Sequence, residues 1–63
     1  MRYEDAETLA RQGCRVKRRS WNDESYAVWS WDDGRLAVFT GEKLDPSCWV
    51  SVLDETRDDW MAA

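Results

Sequence analysis

The sequence predicts an α+β domain in which one N-terminal helix packs on a small antiparallel sheet of about four strands. Three observations carry that expectation. An apolar stripe at helical spacing runs through the first dozen residues. From residue 14 the pattern changes to period two. An Asp-Gly turn then joins two runs rich in aromatic and β-branched residues. The 63 residues contain no linker, repeat or low-complexity tract, so residues 1–63 read as a single domain.

The helix comes first. Tyr3, Ala6, Leu9 and Ala10 share one face of a helix placed at about residues 3–12. Glu4, Asp5 and Glu7 sit in its first turns and Arg11 in its last, which complements the helix dipole. Gly13 follows as a left-handed C-cap. Beyond it, Cys14, Val16 and Arg18 alternate with Arg15, Lys17 and Arg19, so one side of a first strand carries mostly cations. Ser20-Trp21-Asn22-Asp23 reads as a turn. The second strand is Ser25 to Trp31, with Tyr26, Val28 and Ser30 opposite Ala27, Trp29 and Trp31. Asp32-Asp33-Gly34-Arg35 signals a tight hairpin, because Asp-Gly supplies the positive-φ residues such a turn requires. Leu36 to Thr40 returns as the third strand. Gly41 to Ser47, with Pro46, is expected to be a loop in which Lys43 and Leu44 could pair briefly. Cys48 to Leu53 is expected to be another strand. The tail from Asp54 to Ala63 fits either a short helical turn or a final edge strand.

A chain this short sits near the size where one core barely offsets chain entropy, and disulfides, metals or self-association are the usual remedies. Two cysteines and no histidine argue against zinc, which usually takes four Cys and His ligands. No other metal and no cofactor is expected. With no signal peptide and no long apolar run, a reducing cytosol is the expected compartment, and no membrane is expected as a partner. Cys14 and Cys48 then read as free thiols packed as small apolar residues. Self-association remains. Five tryptophans and a sheet with aromatics on both faces predict an apolar surface that a second subunit covers, in a dimer or tetramer of closed symmetry.

The net charge is −4, unevenly spread. Residues 1–22 hold six bases and three acids; residues 23–63 hold three bases and ten acids. The acidic total argues against general nucleic-acid binding, which phosphate attraction dominates. The basic strand could still hold one small anion. Catalysis finds little support: the commonest general base is missing, no serine has a base partner at recognisable spacing, and there is no Gly-rich phosphate loop. The chain is not expected to be an enzyme.

The pattern Tyr3-x-x-Ala6-x-x-Leu9-x-x-x-Gly13-x-x-Val16-x-Arg18-x-x-Trp21-Asn22 resembles the opening of the phage family named for its second Thoeris anti-defence protein. Asp59-Trp60 is similar to that family's closing dipeptide. The resemblance covers about the first third of the chain in register. It implies a small α+β oligomer that acts as a sponge, binding cyclic ADP-ribose-type immune signals, or in some members cyclic dinucleotides, without cleaving them.

The candidate ligand residues are Arg18, Arg19, Trp21, Asn22, Tyr3 and Asp59. A guanidinium at Arg18 or Arg19 can hold phosphate by two hydrogen bonds, which a lysine cannot; the competing reading is a basic strand paired with nearby acids. Trp21 could stack on a purine, a contact worth about 1–3 kcal/mol per base, or clamp the turn from the core. Asn22 could read a base edge or ribose, or bond its own backbone as turn asparagines do. Tyr3 could line the same pocket or belong to the helix's apolar stripe. Asp59 could accept a ribose hydroxyl or lie on the surface. A rival function of another class is a small acidic inhibitor of a host defence protein, such as an anti-CRISPR. In it Asp23, Glu24, Asp32, Asp33, Asp54, Glu55, Asp58 and Asp59 would mimic nucleic-acid phosphates.

Overall fold

Helix α1 spans Tyr3–Arg11 and turns Ala6 and Ala10 fully inward, with Tyr3 and Leu9 at the margin of the core. Small side chains at the two innermost positions let the helix approach the sheet closely. It stops where expected, in a Schellman arrangement: Gly13 N–H bonds Ala10 O, Cys14 N–H bonds Leu9 O, and Gly13 takes φ 95°. The computed structural model describes residues 1–41 and 48–63. From residue 42 on, the expected loop and the brief strand pairing of the Lys43-Leu44 stretch lie outside the described residues.

The described strands are β1 (Val16–Arg18), β2 (Ser25–Ser30), β3 (Arg35–Thr40), β4 (Cys48–Trp49) and β5 (Trp60–Ala62). They form one antiparallel sheet in the order β4-β3-β2-β1-β5. The α+β expectation holds, with five strands in place of about four. Instead of extending the meander beyond β4, the tail crosses to the far side of the sheet and pairs with β1, in the register Val16↔Ala62 and Arg18↔Trp60. The cationic strand is therefore interior. Met1 continues the ladder, exchanging hydrogen bonds with Trp60 through its amino group (2.7 Å) and its carbonyl (3.1 Å).

Two local expectations are corrected. The β2–β3 hairpin closes after Ser30 and reopens at Arg35, around the four residues Trp31 to Gly34. Only Gly34 takes positive φ there (67°), so the Asp-Gly pair does not make the two-residue turn. The strand expected over Cys48–Leu53 ends at Trp49, and Val52–Glu55 forms a short helix, α2. Ser51 is the reason. Its Oγ accepts the Asp54 N–H at 3.1 Å and donates to Asp54 Oδ2 at 2.9 Å, a reciprocal cap that outweighs the β pattern of the apolar residues. Val52 and Leu53 consequently stand 77% and 61% exposed. The cysteines are both free, as expected, but their packing is corrected: both are exposed. The tail satisfies both of its alternatives, a helical turn and then an edge strand.

The core lies between α1 and the sheet face bearing Val16, Ala27, Leu36 and Trp60. Trp60 is its centre. Its ring meets Tyr3 and Trp21 edge-on at 5.5 and 5.3 Å, and its indole N–H donates to Asp54 O at 3.0 Å. That face is covered by α1, and α2 meets it where the Asp54 carbonyl accepts the Trp60 indole N–H. Among the described residues no helix covers the opposite face.

Candidate functional site

The turn after β1 is fixed by backbone and by Asn22. Trp21 N–H bonds Arg18 O (3.0 Å), and the Asn22 Oδ1 accepts Glu24 N–H and Ser25 Oγ–H at 3.1 and 2.9 Å. The Asn22 carbonyl also accepts the Lys17 ammonium at 3.1 Å. Asn22 thus spends its side-chain oxygen on the turn, the second of its two readings.

Arg18 is engaged in the same way. It shares the strand face of Val16, so its side chain is held at the margin of the core and must be paired. Nε and Nη2 grip the Asp59 carboxylate at 2.8 and 3.2 Å, and Nη1 bonds Asp54 Oδ1 at 2.7 Å. This triad latches the C-terminal segment to β1. Arg18's hydrogen bonds hold the Asp59 carboxyl below its ordinary value of 3.8, and the two carboxylates raise the Arg18 guanidinium. The expected phosphate donor and the expected ribose acceptor are each other's partners.

Because Asp59 has a lower pKa folded than unfolded, its pairing stabilises the fold at pH above the ordinary carboxylate value of 3.8. That stability is lost as pH falls from there through the lowered folded value. Asp59→Asn is therefore expected to melt below the wild type at pH 7, with the gap closing in acid. Equal melting temperatures at pH 7 would show that the latch contributes nothing.

Tyr3 lies edge-on against Trp60, and burial, followed by the Glu7 and Glu55 carboxylates, pushes its phenol up. It borders a hollow of about 440 Å³ with Arg2, Glu4, Glu55, Thr56, Arg57 and Asp58, where charges of both signs are mixed. Arg19 lies on the other side of the sheet, exposed, its amide bonded to Asp59 O at 2.9 Å.

Trp21 and Asn22 come together with residues that the sequence did not single out. They line a cleft of about 320 Å³ with Ser25, Val38, Cys48, Trp49, Ser51 and Asp54. The half-buried Trp21 indole, two hydroxyls and a carboxylate converge there, while the Trp49 ring turns to the other side of the sheet, under the Arg35 guanidinium. Such a slot accepts a flat heterocycle with hydroxyl groups more readily than a bare phosphate, since its nearest cation, Arg18, is neutralised behind Asp54. The Ser51-x-x-Asp54 cap was the one sequence signal that could have placed this wall. Among the described residues, no group of three or more Cys, Asp or Glu side chains is arranged to hold a metal ion, and no helix is long and apolar enough to cross a membrane. Comparison with family models, curated proteins and solved structures returns no match.

Proposed function

We propose that this chain is a non-catalytic binding protein that sequesters a nucleotide-derived signal, of the cyclic ADP-ribose or cyclic dinucleotide class, in the cleft beside Trp21. The carrying observation is the convergence of Trp21, Ser25, Ser51 and Asp54 on one small cavity. A base would lie against Trp21, and ribose hydroxyls would meet Ser25, Ser51 and Asp54. Sequestration needs affinity and no reacting group, which suits a chain without histidine. The resemblance of the N-terminal third to the anti-defence sponges supports the same class of ligand.

In this reading the phosphates extend out of the cleft toward a second copy of the chain. Val52 and Leu53, exposed on α2 beside the cleft wall, are the apolar patch such a copy would cover. The acidic-inhibitor alternative draws less support, because its carboxylates are dispersed. Asp23-Glu24 and Asp32-Asp33 lie at opposite ends of β2, and Asp54 and Asp59 are bound to Arg18.

Calorimetry against cyclic ADP-ribose isomers and cyclic dinucleotides, with sedimentation run in parallel, is the test. Saturable heat with at least one of them and a species heavier than the monomer are expected. Absence of heat with all of them, at concentrations where an oligomer forms, would overturn the reading.

A further inference from the structure

We infer that the uncovered sheet face binds single-stranded nucleic acid, independently of the cleft. By strand register this face carries Lys17 from β1, which is buried, with Arg15 and Arg19 flanking that strand, Tyr26 and Val28 from β2, Arg35 and Phe39 from β3, and Trp49 from β4. Of the β1 cations Lys17 is buried and held by the Asn22 carbonyl and Asp23; Arg15 and Arg19 are exposed, about 13 Å apart along the strand, a span that an extended sugar–phosphate backbone can follow.

The aromatic groups are arranged as platforms. Tyr26 and Phe39 stack across β2 and β3 with centroids 5.5 Å apart and planes within 10°. The Arg15 guanidinium lies 4.3 Å from the Tyr26 centroid and that of Arg35 lies 3.8 Å from the Trp49 centroid. A guanidinium laid on a ring keeps its in-plane N–H donors directed outward, where phosphate oxygens can reach them. Among the described residues neither Arg15, Arg19 nor Arg35 forms an ion pair. Sheets that present aromatic rings on an open face bind single strands in this way, by stacking bases while cations follow the backbone.

The chain's acidity does not oppose this. Taking away the four face cations leaves five bases against thirteen acids elsewhere. Seven of those acids lie in α1 and in the segment 54–59 and four in the turns at the two ends of β2, and among the described residues Asp23, beside Lys17, is the one acid that pairs with a face cation. Charge is thus segregated, and the overall balance hides a cationic face. The same four cations disfavour a second copy pairing face to face, since like charges would then oppose one another.

Fluorescence anisotropy with short labelled RNA and DNA strands at low salt tests the inference. Binding is expected to weaken with salt at a log–log slope near −2, the value for about three neutralised phosphates on a single strand. Arg15→Glu/Arg35→Glu should weaken it by about tenfold or more and flatten that slope, whereas Arg2→Glu/Arg57→Glu, away from the face, should leave it unchanged. Tyr26→Leu/Phe39→Leu, checked for folding by circular dichroism, should lose affinity for strands. Inorganic polyphosphate should bind more weakly than a strand of equal charge. No binding at low salt, equal loss from both charge-reversed pairs, or polyphosphate bound as tightly as a strand would overturn it. The cleft variant Trp21→Leu should leave strand binding intact, so either proposal can fail without the other.

Discussion

Trp60→Ala is expected to leave most of the protein unfolded at room temperature. Truncating a buried tryptophan costs about 3–5 kcal/mol. A chain of 63 residues has a total stability of roughly 3–9 kcal/mol at the usual value per residue. Trp60 is 2% exposed and holds three separate parts of the fold. It meets Tyr3 from α1 and Trp21 from the turn, and its indole N–H fixes the α2 backbone at Asp54 O. Its own strand is only three residues long, so the ladder alone cannot keep β5 in place once the ring is gone. Trp60→Phe preserves much of the apolar contact but loses the N–H bond, and should fall between the two. Urea unfolding measured by far-ultraviolet circular dichroism checks the series; a cooperative wild-type-like transition for Trp60→Ala would contradict the central place given to this ring.

The second large effect concerns function. Trp21→Leu is expected to fold and to bind the proposed nucleotide ligand about 5- to 150-fold more weakly, the equivalent of 1–3 kcal/mol of lost base stacking. Trp21 is only half-buried, and its edge contact with Trp60 accounts for about 0.5–1.5 kcal/mol beyond area burial. That is a loss the fold can bear. Arg18→Lys should behave differently. Lysine keeps the charge but not the fork that grips two carboxylates, so the segment 54–59 loosens, and binding weakens only through the displaced Asp54. Melting curves beside calorimetry separate the two variants. A stable Trp21→Leu with undiminished affinity would remove the cleft from the proposed site.

What could be read from the residues follows the range of the forces involved. Helix α1 was legible from Tyr3, Ala6, Leu9 and Ala10, and its end from Gly13, because spacing and capping are local. The β2–β3 pairing was legible from aromatic alternation around Asp33-Gly34, although the turn came out longer. Strand β5 was legible only as one of two alternatives for the tail, and its partner not at all. Three residues are too few to show a period, and its place beside β1 depends on Trp60 filling a core formed by distant segments. The α2 turn was missed because Val50, Val52 and Leu53 look like strand residues, while the Ser51–Asp54 cap decides otherwise. For Arg18, its parity with Val16 placed it on the covered side of the sheet. That parity required a partner without naming Asp54 and Asp59, which lie 36 and 41 residues away. The face of Arg15, Lys17 and Arg19 was visible as a cationic side of a strand; that Tyr26 and Phe39 would share it needed the register.

The most direct measurement is the indole region of a two-dimensional nitrogen–proton spectrum, followed during titration with cyclic ADP-ribose isomers and cyclic dinucleotides. Each of the five tryptophans contributes one N–H signal, assigned through single Trp→Phe variants. Binding in the cleft predicts that the Trp21 signal moves in a saturable way, while that of Trp31, at the far end of the β2–β3 hairpin, does not. No movement with any of these ligands, or movement confined to Trp29 and Trp31, would contradict it.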